Sequence, residues 1–209
     1  MGKEAALRAP EPRDIDPVDL ARAEEYGLLA ALIARPPDRA LLDDLARMAG
    51  DATALGAAHA RLAAAAREAD PAAVAREHFG LFVGVGRGEV LPFGSYYRTG
   101  FLNDRPLAEL RADLARLGIE RSPGVHDPED HVAILCDVMA GLATGAFDAP
   151  PDAERAFFER HLEPWAERFF ADLERAAGAR FYRAVGGLGA VFMAIEAEAF
   201  GLDGAADGR

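Results

Sequence analysis

Residues 126–142 read HDPEDHVAILCDVMAGL. Val132, Leu135, Met139 and Leu142 are spaced three, four and three apart, which at about 100° per residue places them on one helical face. Asp127 suits the cap and Pro128 the first turn, so the spacing predicts a helix over about 128–143. In that frame His131 falls roughly 60° from the centre of the apolar stripe, half-buried at its rim. Asp130 falls near 160° and faces out. Two readings of the pair stay open. Asp130 is a first-turn acid favoured by the helix dipole, with Asp127 and Asp130 loosely resembling a capping box, and His131 is a rim histidine bonded to a carbonyl. Alternatively, both meet a partner. Cys136, on the same helix near the stripe, reads as a buried, inert thiol.

Outward from this segment the chain is rich in alanine and poor in β-branched residues. Asp16-Pro17 opens a helix through about Arg35, with Leu20, Tyr26, Leu28 and Leu32 among its apolar positions. Asp38 opens a short one through Met48, and an Ala-rich helix covers about 52–69. Asp70-Pro71 starts a fourth, ending in GLF. Glycines then recur at 84, 86, 88, 94 and 100 around Pro92, a loop long enough to suggest function. Asp104 and Pro106 restart a helix that ends near Gly118. Pro164 breaks or kinks the next long pattern near Glu163, and a last helix begins near Arg180. No strand pattern of useful length appears. The expectation is an all-α protein, a single compact bundle of about eight or nine helices with one long Gly/Pro-rich connecting loop. Residues 1–15 read as a flexible arm, 16–201 as the helical domain and 202–209 as a frayed end.

Of 209 residues, 51% are hydrophobic, enough for a real core. The single cysteine excludes an internal disulfide and fits a reducing compartment. The N-terminus shows no apolar run of a signal peptide, and no stretch reads as a membrane span of ~20 apolar residues. A net charge of −12 repels phosphate backbones and favours a basic peptide as partner, although solubility alone also explains it.

Catalytic patterns are lacking. The five histidines contain no HxxxH pair and none follows a glutamate by three residues, so helix-borne zinc and di-iron patterns are absent. There is no G-x-S-x-G elbow. The glycine run has neither the strand-before, helix-after context of a dinucleotide fingerprint nor a Gly-Lys-Ser/Thr. No enzyme activity, cofactor or metal is expected.

Three ordered segments carry a resemblance. REHFGLFVGVGRGEVLPFGSYY, DPEDHVAILCDVMAGL and FFERHLEPWAERFFADLERAAGARFYRAV together resemble the TorD/DmsD/NarJ family of cytoplasmic chaperones for molybdoenzymes. Phe79, Leu81 and Phe82 match the family's Tyr-x-x-Leu-Phe helix end, with Phe for Tyr. Pro92, Ser95 and Tyr97 match its loop. Asp130 and His131 match its helix start, and His161, Leu162 and Trp165 its His-Leu-x-x-Trp helix. The chain departs from the pattern at Val85, Phe93, Gly94 and Glu129. The resemblance spans roughly 26–200. It implies an all-helical cytoplasmic chaperone without catalysis, which binds an apo molybdoenzyme, often through its twin-arginine signal peptide, until the molybdopterin cofactor is inserted. It implies a peptide site of Asp130, His131, Leu81, Phe82, Pro92, Ser95 and Tyr97, with Tyr26 as a weaker candidate. Asp130 is expected to accept guanidinium hydrogen bonds beside an apolar groove. The expected partners include no nucleic acid and no stable membrane insertion, and the chain is expected as a monomer or a domain-swapped dimer. A client subunit lacking a signal peptide, and a helical nucleotide-binding protein using the Gly-rich loop, are the alternatives.

Overall fold

Five helix starts follow local chemistry, with an aspartate or threonine side chain capping the first turn, whereas Asp152, before the helix Ala153–His161, makes no such bond. In this computed structural model, which describes residues 15–121, 124 and 126–207 (side chains of 203–207 excepted), α1 spans Pro17–Ala34 and the Asp16 side chain accepts from the Val18 amide at 2.8 Å. α2 (Arg39–Leu45) is capped by Asp38 and stops three residues short of Met48. α3 (Ala54–Glu68) is capped by Thr53, and α4 (Pro71–His78) by Asp70. α6 (Arg105–Arg116) follows Asp104, whose carboxylate accepts from the Arg105 amide. The 1–14 arm lies outside the described residues.

α4 runs into a π-helical turn, Phe79–Val83, closed by the Gly84 amide on the Phe79 carbonyl at 2.7 Å. The glycine loop folds back on this turn, with the Glu89 and Val90 amides donating to the Gly80 and Leu81 carbonyls. Within the long loop the structure forms an additional helix, α5 (Gly94–Thr99), which has no capping side chain of its own.

α7 spans Val132–Ala143 and begins four residues later than the sequence suggests. The backbone of 130–132 is spent on the loop instead: Gly94 N–H donates to the Asp130 carbonyl and Val132 N–H to the Pro92 carbonyl. Pro164 separates α8 (Ala153–His161) from α9 (Ala166–Arg175) as expected. α10 spans Phe181–Asp207, so the helical backbone continues through Leu202, where the sequence suggests fraying. Among the described residues there are ten α-helices and no strand, an all-α fold whose extra helix is α5.

α10 packs most extensively on α9 and also against α3, while α7 packs on α1. Tyr26, Leu32, Val132, Leu135, Met139, Phe158, Phe170, Tyr182 and Leu188 belong to one continuous core. Leu20 lies outside it, exposed on α1. By length and apolar composition alone, Phe181–Leu202 would suffice to cross a membrane, contrary to the sequence expectation. Half of that stretch is buried inside the protein, and it carries buried Glu196. An interior helix is apolar on most sides for the same reason a membrane helix is. Glu77 and Glu89 fasten the entry to α10. The Glu77 carboxylate accepts from the Arg180, Phe181 and Tyr182 amides at 2.8, 3.2 and 2.7 Å. The Glu89 carboxylate accepts from the Ala177 and Gly178 amides at 2.6 and 3.0 Å.

Candidate functional site

Asp130 and His131 are both caps, but of different helices. The Asp130 carbonyl takes the Gly94 amide at 2.9 Å and its carboxylate takes the Ser95 amide at 2.7 Å. These are the first two amides of α5, so Asp130 caps that helix from 35 residues away. His131 caps its own helix: its Nδ1 accepts from the Ala133 amide at 3.2 Å. Nδ1 is therefore unprotonated and the ring proton sits on Nε2. A β-bridge between Phe93 and His131, with their rings 5.2 Å apart edge to face, completes the clasp.

Asp130 is 3% exposed and His131 7%. This corrects the expectation of an outward carboxylate and a half-buried imidazole. That expectation placed both residues inside α7, whereas they precede it and turn inward to hold α5. Burial pushes the His131 pKa down to about 4 against the partial opposition of Asp127 and Asp130. Among the described residues, Asp130 Oδ1 and the Ser95 hydroxyl have no hydrogen-bond partner. Asp130 also lines a cavity of about 10 Å³ with Gly94, Leu135, His161 and Trp165, the size of one water molecule.

The other expected site residues divide. Pro92 and Ser95 are buried within the clasp. Tyr97, half-buried on α5, stacks on Trp165 at 5.5 Å and donates its hydroxyl to Asp172 at 3.0 Å, with the Arg168 guanidinium over its ring. Leu81 and Phe82 are buried in the π-helical turn. Phe82 meets His78 at 5.0 Å and Tyr182 at 5.3 Å. His78 lies near enough to His131 for their charges to interact. Tyr26 is not part of this group. It is fully buried, donates to Glu196 at 2.8 Å and packs on Phe192. Arg22 grips the same Glu196 carboxylate at 2.8 and 2.6 Å, tying α1 to α10.

Sequence reading missed His78, Gly94, Asp172 and the long-range caps Glu77 and Glu89. Gly94 has a packing role: a Cβ there would stand 3.0 Å from the Trp165 indole. The aspartate-histidine adjacency is the one local signal of the clasp. His161 is buried and bonded to Asp113 at 2.7 Å. Burial, and after it Arg160 and Arg98, lowers its pKa to about 4. Among the described residues no group of three His, Cys, Asp or Glu side chains is placed to hold a metal. Three glycine-loop amides, those of Gly84, Glu89 and Val90, are spent on carbonyls of the π-helical turn rather than facing a phosphate.

With Chaperone protein TorD of Aliivibrio fischeri the chain is 28% identical over 125 residues, 55% of this chain and 58% of that protein. With Chaperone protein TorD of Vibrio cholerae it is 32% identical over 98 residues, 43% of this chain and 44% of the other. In these two alignments the chain spans about half the length of its relatives. With Chaperone protein TorD of Shewanella loihica the identity is 26% over 211 residues, 90% of this chain and 97% of the other. The model of the nitrate reductase delta subunit family matches residues 49–171, more than half of the chain and the part that holds the clasp, and the chain belongs to that family, the TorD-like group its motifs resemble.

Proposed function

We propose that this chain is a cytoplasmic, system-specific chaperone that binds the apo form of a molybdopterin oxidoreductase and its twin-arginine signal peptide, holding the client for cofactor insertion. It catalyses no reaction and binds no nucleic acid. The observation that carries this reading is the near full-length similarity to a protein named Chaperone protein TorD. The geometry supports it through the surface that the clasp organises. Asp130, His131, Pro92, Ser95, Leu81 and Phe82 position that surface, and Tyr97 is a half-buried aromatic on it. Tyr26 acts only through the packing of α1 on α10. Asp127 is exposed beside His131, and Asp172 is half-buried under the Tyr97 hydroxyl. These two carboxylates, rather than buried Asp130, are the ones a guanidinium reaches without opening the clasp. The net charge of −12 steers a basic leader towards them.

Calorimetric titration with twin-arginine leaders of molybdoenzymes from the same genome tests the proposal, with twin-lysine versions as controls. Saturable binding to one leader, lost in its twin-lysine form and weakened roughly tenfold by Asp172→Ala, is expected for a charge-assisted contact. Binding to none overturns the leader-binding part. The family description names a nitrate reductase subunit, which favours a second reading in which the client subunit has no leader. Undiminished binding of a leader-deleted apoenzyme selects that reading.

A further inference from the structure

We infer that the surface built by the π-helical turn, the glycine loop and the α9–α10 link docks onto an anionic lipid bilayer. Three observations meet there. The first is exposed apolar side chains on a protrusion. Phe79 is 49% exposed, Val83 55% and Val85 98%. Val85 sits at the loop tip between Gly84 and Gly86, both at positive φ.

The second is charge. Arg76, Arg87, Arg175, Arg180 and Arg183 are all exposed on residues 76–87 and 175–183. Arg76, Arg175, Arg180 and Arg183 form no ion pair among the described residues, a state they share with Arg35, Arg61, Arg67, Arg121 and Arg168. Arg87 lies over the Tyr96 ring at 4.9 Å. Among these arginines stand the carboxylates of Glu77 and Glu89, bonded to backbone amides, of Asp172, bonded to the Tyr97 hydroxyl, and of Glu174. With five arginines against four carboxylates the surface is locally cationic by one charge, on a chain whose net charge is −12.

The third is rigidity. The Glu77 and Glu89 contacts bind the three segments into one surface, so the arginines and the apolar tip move together. Arg76 and Phe79, three apart across the helix end, share a face, as do Arg180 and Arg183.

Arginines around a few protruding apolar side chains fit a headgroup layer, where the cations meet lipid phosphates and the apolar tip enters the acyl boundary. A protein partner would need a matching pocket for the tip, while a fluid interface accepts it without one. The acidic remainder of the molecule is repelled by the same bilayer, and this sets the orientation of docking.

Cosedimentation of the full chain with phosphatidylglycerol-containing vesicles tests the inference, with pure phosphatidylcholine vesicles as control. Binding to the anionic vesicles alone is expected, weakening as salt rises. Arg180→Gln/Arg183→Gln lowers partitioning roughly tenfold, and Val85→Asp lowers it too. Val18→Asp, on exposed α1, leaves it unchanged. Circular dichroism and Tm check that each variant folds. Absence of binding to anionic vesicles, equal binding to both kinds, or wild-type binding by the folded arginine and Val85 variants overturns the inference. In the first case an acidic protein surface becomes the occupant to seek.

Discussion

Asp130 carries more of this structure than its place beside a helix start suggests. Its carboxylate and carbonyl together cap the start of α5, and its burial makes replacement costly. Asp130→Ala removes a charge-assisted bond to the Ser95 amide and leaves that amide buried, a loss of about 1–3 kcal/mol. A drop in Tm of roughly 5 °C is expected, with a smaller one for Asp130→Asn, which keeps an acceptor. Hydrogen exchange at the Ser95 amide reports the same loss locally. The starts of α1, α4 and α6 were legible because cap and proline stand next to the helix they serve. Asp130 was not, because its helix lies 35 residues upstream and begins with glycine. The adjacency of Asp130 and His131 marked the clasp, but helical periodicity turned Asp130 outward and left His131 only half-buried, where both are buried.

The contact of α10 on α9 depends on missing side chains. A Cβ at Gly186 would stand 2.4 Å from the Glu174 amide nitrogen and 2.7 Å from the Phe170 carbonyl oxygen, and one at Gly189 would stand 2.2 Å from the Phe170 ring. Gly186→Val therefore forces the two helices apart, at a cost of about 1–3 kcal/mol or more. Urea unfolding reads the cost as a lowered midpoint. An unchanged midpoint would mean that α10 settles elsewhere at no expense. The glycine cluster of α10 is visible in the sequence, but its meaning is not, since composition alone cannot separate a tightly packed core helix from one made for lipid. The partners of these glycines on α9 decide it.

Acid weakens the assembled fold through its buried imidazoles. His131 and His161 titrate near 4 in the folded chain, against the usual 6.5, because burial penalises the imidazolium. Between those values the unfolded chain binds protons that the folded chain refuses. Stability is therefore fully present above pH 6.5 and is lost as the pH falls towards 4. Each histidine contributes of the order of 2–3 kcal/mol to this limb. Glu25, Asp137 and Glu154, whose pKa values burial raises, act in the opposite sense and soften the loss. Urea midpoints at pH 7 and pH 5 measure the limb. His131→Asn, which retains a capping side chain, is expected to flatten it. Fold class, core helices and family were legible in one chain because they rest on local spacing and ordered motifs. The accessible part of the site was not, because burial depends on which distant segments meet.

The clasp also sets how this region comes undone. One backbone junction holds the first amides of α5 and the first turn of α7, so neither helix end can fray without releasing the other. Opening is then a single cooperative event, a foldon of its own, in which the amides of Gly94, Ser95 and Val132 exchange with one shared free energy below that of global unfolding.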